Sequence, residues 1–149
     1  MQDKRCLDLF SGSGALGFEA ASRGAIDVVM LEMQPAAILA LKENQKKLEA
    51  TMCSIVAKDA LRFLSTSIQQ FDVVFVDPPF GSNLMSSALR ALPKSLNEGA
   101  TVYTEWHVPI TAVLANLSHV DWEVAKQGKA GAVHFALLRI AASHHQTPD

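Results

Sequence analysis

The sequence predicts an α/β domain: a mostly parallel sheet with helices on both faces and an antiparallel C-terminal hairpin. Three observations carry this. Strand-like and helix-like stretches alternate from Arg5 onward, the pattern of a parallel sheet covered by helices. The run from Phe71 to Val76 is almost continuously apolar, as a strand buried on both faces requires. Near the C-terminus, two strand-like stretches flank residues rich in Gly and Lys, the composition of a hairpin turn.

The elements follow in order. A first strand covers residues 5–10, and a helix covers 15–22, with Gly24 placed to stop it in a left-handed conformation. A second strand spans 27–31. Pro35 stands where a first helical residue belongs, and that helix runs to about residue 49. In it Ile38, Leu41 and Leu48 share one face, while Lys42, Glu43, Lys46 and Lys47 face mostly water. A third strand at 54–57 leads into a short helix at 60–64, and the fourth strand is 71–76. A helix at 84–92 precedes a fifth strand at 101–106. A helix at 110–117 then precedes the hairpin strands, 120–125 and 133–140.

The chain has 149 residues and a formal net charge of −2, which suits one domain of ordinary size. We expect that domain to occupy 1–142, with 143–149 a disordered polar tail. There is no apolar run long enough to span a membrane, and no signal peptide at the N-terminus. A cytoplasmic, monomeric protein with no membrane partner is the expectation. The two cysteines, Cys6 and Cys53, lie in apolar stretches and read as core hydrophobes. They do not form a CxxC pair, and no histidine joins them at zinc spacing, so no metal centre is expected.

Each of the first four strands ends in an acid: Asp8, Glu32, Asp59 and Asp77. Ligands of open parallel sheets bind beyond the carboxyl ends of the strands, so all four acids are expected to line one crevice. Helix capping accounts well for Asp59, which directly precedes Ala60, and poorly for Asp8, which interrupts the apolar stretch Cys6-Leu7-Leu9-Phe10. The loop after the first strand carries Gly12, Gly14 and Gly17 in a GxGxxG pattern. That pattern alone would also fit a dinucleotide. Asp8 argues against one, because a carboxylate beside the loop repels a pyrophosphate and attracts an ammonium group. Glu32 can accept from both hydroxyls of a ribose, and Asp59 from an adenine amine. A ligand with positive charge and no phosphate fits this rim, and S-adenosylmethionine has that character.

The fourth acid opens Asp77-Pro78-Pro79-Phe80. Paired prolines make a rigid turn, which fixes the Asp77 carboxylate near the Pro78 carbonyl. Two acceptors gripping the hydrogens of an aryl amine favour a pyramidal nitrogen with its lone pair exposed. Phe80 offers a face on which a base can stack.

These motifs together resemble the amino-methylating class of Rossmann-like (class I) methyltransferases. Asp8 to Gly14 looks like the cofactor loop, and Asp77 to Phe80 like the catalytic (D/N)PP(Y/F) turn. The stretch from Leu7 to Ala25, with Glu32-Met33 and Val74 to Phe80, resembles the bacterial 16S rRNA (guanine-N2)-methyltransferase family. The likeness extends loosely to Lys129-Ala130-Gly131. It implies a seven-stranded sheet, S-adenosylmethionine as cofactor, 16S rRNA or the small-subunit particle as partner, and an N2-methylguanine product. It also implies a catalytic set of Asp77, Pro78, Pro79 and Phe80. Cofactor contacts fall to Asp8, Phe10, Gly12, Ser13, Gly14, Glu32, Met33, Asp59, Ala60 and Asp77.

That family carries a segment rich in Arg and Thr ahead of its first strand, which helps bind RNA and close over the cofactor. The sequence holds none before Arg5, and its modest negative charge agrees with that. Phosphate contacts must then come from Lys126 and Lys129, flanking a glycine turn at Gly128 and Gly131, ahead of Arg23, His107 and Arg90. Competing readings are an N6-adenine methyltransferase acting on DNA or RNA, a nicotinamide-dependent oxidoreductase, and a non-catalytic cofactor-binding module. The first shares the chemistry of Asp77. The second conflicts with Asp8 and the double-proline turn.

Overall fold

The computed structural model describes residues 1–118 and 120–141, so the tail expected at 143–149 lies outside the described residues. The strands are β1 (Arg5–Asp8), β2 (Asp27–Glu32), β3 (Cys53–Ala57), β4 (Phe71–Val76), β5 (Leu96–Trp106), β6 (Trp122–Ala130) and β7 (Val133–Ile140). They form one seven-stranded sheet in the order β3-β2-β1-β4-β5-β7-β6. Pairing is parallel from β3 through β5, while β7 runs antiparallel to both β5 and β6. The helices are α1 (Ala15–Ser22), α2 (Pro35–Lys47), α3 (Ala60–Thr66), α4 (Leu84–Ala91) and α5 (Ile110–Leu114). The expected architecture is therefore present, hairpin included.

The pleat divides the core in two. Cys6, Val28 and Met30 pack with Ala20, Ala21 and Leu41 on the α1–α2 side. Leu7, Leu9, Val29 and Leu31 pack with Leu64, Leu89 and Val113 from α3, α4 and α5 on the other. Alternation along β1 puts Asp8 on the α1 side with Cys6. Both cysteines are buried and free, and burial pushes each thiol up to about 11. They act as small apolar side chains.

Besides ends that shift by two or three residues in elements such as β1 and α5, the structure differs from the sequence expectations in three places. Leu48 does not join a buried face of α2: the helix ends at Lys47, Glu49 turns the chain at φ 52°, and Leu48 is 61% exposed. Leu41 is the buried residue of that helix. β5 begins at Leu96 rather than at residue 101. The stretch Asn97-Glu98-Gly99 has turn composition, but here it is absorbed as an irregularity between the pairs Phe71–Leu96 and Val73–Thr101, with Gly99 at φ 76°. β6 runs to Ala130, so Lys126, Gly128 and Lys129 lie within a strand and do not flank a turn.

Candidate active site

The chain runs outward from β1 to β3 and then returns to place β4 on the other side of β1. The loops leaving β1 and β4 therefore diverge, opening a crevice at the switch point of the sheet. A cavity of about 510 Å³ lies there. Its walls are Leu9–Ser13, Ala15 and Leu16 after β1, Glu32–Gln34 after β2, Lys58–Ala60 after β3, and Asp77–Phe80 with Leu84 after β4. That volume falls within the usual range for small-ligand sites.

Glu32 ties two of these walls together. One carboxylate oxygen accepts from Gly12 N–H at 3.0 Å, and the other accepts from Met33 and Gln34 N–H at 2.9 Å each. Asp59 caps α3 by accepting from Arg62 N–H at 3.0 Å. It is exposed at the cavity wall, so capping occupies one oxygen and leaves the other to the cavity. Met33 is 58% exposed and lines the cavity with Phe10, Ser13 and Ala60.

Asp8 corrects the expectation of four acids on one rim. Three of them line the cavity; Asp8 does not. It is 1% exposed and lies beneath the glycine loop, where Oδ2 accepts from Gly17 N–H at 3.2 Å and Oδ1 has no partner. The pleat that sends Leu7 and Leu9 toward α3 and α4 sends Asp8 toward α1. Burial pushes its carboxyl up to about 7 against the opposing pull of the Gly17 N–H, and the nearby negative charge of Asp77 adds to the rise.

The glycines also divide in role. Gly14 does not line the cavity: a Cβ there would come within 2.5 Å of the Phe18 ring and 2.6 Å of Leu41, at φ +86°. Gly17 is tight against Met30 and Asp8. Gly12, at φ +53°, faces open space.

On the opposite wall Asp77 and Pro78 are at least half-buried, while Pro79 and Phe80 are exposed. Ser82 Oγ donates to the Pro79 carbonyl at 2.7 Å and holds the turn closed. Burial and the Glu105 carboxylate raise Asp77 to about 6. Phe80, 66% exposed, packs near Trp106 and His107 with ring centroids at 6.3 and 6.0 Å. Two residues outside the sequence-derived set emerge. Lys58 lines the cavity and donates to Thr66 at 2.9 Å, and Glu105 stands behind Asp77. Glu105 carries the same signal as the four acids, since it stands near the carboxyl end of its strand.

The candidate RNA contacts are dispersed. Arg23 is paired with Glu19 at 2.7 Å. Lys126 and Lys129 are exposed on the edge strand β6, an odd number of residues apart, so the pleat directs them to opposite faces. Lys129 is opposite His134, which in turn pairs with Trp106 at the cavity end of the sheet. Gly128 makes room for the Phe135 ring, 2.4 Å from where a Cβ would be. Among the described residues no group of three His, Cys, Asp or Glu side chains converges as a metal site, and no helix is long and apolar enough to cross a membrane.

Strand order, a cavity at the switch point and the Asp77–Phe80 turn define a Rossmann-like methyltransferase. The chain belongs to the family described as conserved hypothetical protein 95, whose model matches residues 1–139. It is 34% identical to the ribosomal RNA small subunit methyltransferase D of Escherichia coli, over 99% of this chain and 74% of that protein. It is 32% identical to the protein of the same name from Buchnera aphidicola, over 92% of this chain and 70% of that one. Among solved structures, a putative methyltransferase from Escherichia coli superposes with a TM-score of 0.82 at 33% identity, covering 93% of this chain and 78% of that one.

Proposed function

We propose that this protein transfers a methyl group from S-adenosylmethionine to the exocyclic N2 amine of a guanine in 16S rRNA, acting as a cytoplasmic monomer on the RNA or the small-subunit particle. The observation that carries this reading is the rigid Asp77-Pro78-Pro79-Phe80 turn with an exposed aromatic, across one cavity from the glycine loop. The names of the relatives support ribosomal RNA as the substrate class.

The residues present fit the cofactor. Gly12 leaves open space at the loop, and the unpartnered Asp8 Oδ1 lies beneath it, a buried acceptor awaiting a donor. Asp8 would reach the ammonium of the methionine moiety through the loop or a water. Glu32 would accept from the ribose, and the free oxygen of Asp59 from the adenine amine. Phe10, Ser13, Met33 and Ala60 shape the remainder of the site, and Gly14 supports the loop from behind against Phe18 and Leu41. When bound, S-adenosylmethionine supplies a methyl group on a sulfonium.

The protein's own part is positioning. Asp77 and the Pro78 carbonyl hold the hydrogens of the target amine and free its lone pair for in-line attack. Phe80 stacks on the base. Turning a guanine out of a structured RNA costs a few kcal/mol, and this stacking offsets part of that. Lys129, toward the cavity end of the hairpin edge, supplies a phosphate contact, with Lys126 available from the opposite face of the strand.

The test is methyl transfer with labelled cofactor to small-subunit particles, whole ribosomal RNA and DNA, followed by nucleoside analysis. Label in N2-methylguanine supports the reading. Label in N6-methyladenine replaces guanine with adenine as the target. No transfer to any of them, with the cofactor bound, would leave a binding module without catalysis.

A further inference from the structure

In β4 and β5 the parallel register pairs Phe75 with Tyr103 and Val76 with Thr104. One step further, at the carboxyl ends of both strands, come Asp77 and Glu105. Residues in register on neighbouring strands point to the same face, so the two carboxylates are held side by side. Glu105 is not free to swing away: Tyr103 Oη donates to its Oε1 at 2.8 Å. Tyr103 is fixed in turn by an edge-on contact with the Phe75 ring, at 6.2 Å between centroids. Burial and Glu105 raise the Tyr103 hydroxyl, so it remains a donor. Two acids held together by the backbone register, one of them anchored from behind, form a built arrangement that nothing in the sheet's stability requires.

Resting on the methyl-transfer reading above, we infer that Glu105, anchored by Tyr103, is a positioning residue: it orients the Asp77 carboxylate and strengthens it as acceptor of the proton that the target amine sheds. The chemistry requires such an acceptor. When the amine nitrogen uses its lone pair to bond the methyl carbon, that carbon's bond to the sulfonium sulfur breaks with the electron pair left on sulfur, and the nitrogen becomes cationic. One N–H bond then breaks, its electron pair stays on nitrogen, and the proton bonds to an Asp77 oxygen before passing to water. A like charge alongside makes that oxygen a better proton acceptor. The other groups facing Asp77 do not supply this. Asp8 on β1 interacts with Asp77 but holds its own proton up to about 7, so it is largely uncharged where Asp77 titrates; α4 carries only Arg90 in its last turn, and His107 lies against Phe80.

The experiment follows the Asp77 carboxyl carbon by NMR in aspartate-labelled protein, with the signal assigned by its loss in Asp77→Asn. Single-turnover methyl transfer is measured across pH alongside it. In the wild type the Asp77 signal titrates near pH 6, and transfer falls as pH drops through that value. Glu105→Gln keeps the shape and removes the charge. It should move both the titration and the acid limb of the rate profile to lower pH, and slow the plateau about tenfold with cofactor affinity unchanged. An unmoved titration overturns the pairing. A moved titration with an unchanged rate profile overturns the positioning role. A wild type that transfers no methyl group defeats the methyl-transfer reading instead, while the titration still decides whether Glu105 acts on Asp77.

Discussion

Glu32 accepts from Gly12 N–H across 3.0 Å, so the end of β2 holds the glycine loop in place before any ligand arrives. Its other oxygen is committed to Met33 and Gln34. Glu32→Gln exchanges one of these acceptors for an amide donor, leaving at least one backbone N–H facing another donor. These bonds are exposed to water, so losing one costs about 0.5–1.5 kcal/mol. Cofactor affinity, measured by calorimetry, should therefore drop by roughly 2- to 12-fold. An unchanged affinity would show that the loop needs no latch.

Gly12 and Gly14 should respond differently to alanine. At Gly14 the new Cβ meets Phe18 and Leu41 in a left-handed backbone, so overpacking and strain add to about 2–5 kcal/mol of lost stability. At Gly12 the Cβ enters open space, and only about 1 kcal/mol of backbone strain applies. Thermal unfolding should thus penalise Gly14→Ala, while calorimetry should show Gly12→Ala losing cofactor affinity. Equal melting temperatures for the two would refute the division of roles.

Asp8 makes stability depend on pH. Its folded value of about 7 lies well above that of an exposed aspartate, so between roughly pH 4 and 7 the folded state holds a proton that the unfolded state releases. Its contribution is fully present at low pH, is lost as pH rises through 7, and is flat beyond. Asp8→Asn removes this dependence. Relative to wild type, the variant should gain stability from pH 5 up to the folded value near 7, on the order of 1.4 kcal/mol per pH unit, and keep that gain to pH 8. Denaturant unfolding at the two pH values measures it, and a gain that shrinks with rising pH would contradict the assignment.

Asp77→Ala should separate binding from chemistry. Cofactor affinity stays near normal, while transfer falls about 10²-fold or more, the scale of losing a transition-state hydrogen bond. Phe80→Ala should lose a stacking contribution of about 1–3 kcal/mol in transfer, and Phe80→Tyr should retain activity. Full activity in Phe80→Ala would remove the stacking role.

RNA binding should be weak and only mildly sensitive to salt. Arg23 is paired with Glu19 of α1, and Lys126 and Lys129 point to opposite faces, so few phosphates can be neutralised at once. Filter binding of naked ribosomal RNA across a salt series should give a shallow slope, and Lys129→Ala, nearer the cavity end, should flatten it further. A steep slope for these 149 residues would place the RNA surface elsewhere on the chain.

The alternation of elements, the antiparallel hairpin, the glycine loop and the Asp77–Phe80 turn are all legible in the order of amino acids alone. They depend on local chemistry: apolar periodicity, glycine conformation and proline geometry act within a few residues. Asp59 as a helix cap is legible for the same reason. What depends on the pleat and on strand register is settled only when the chain packs. Whether an acid near a strand end faces the cavity or the core depends on how far along the register it stands: Asp8 pairs with Met30 and Phe75, two residues short of Glu32 and Asp77 on the same face, so it lies beneath the loop while Glu32 reaches its rim. The demand for glycine at position 14 comes from Phe18 and Leu41, and at 128 from Phe135, across other elements. The apposition of Asp77 and Glu105 arises only when β4 and β5 pair in register, because no spacing along the chain brings residues of different strands side by side.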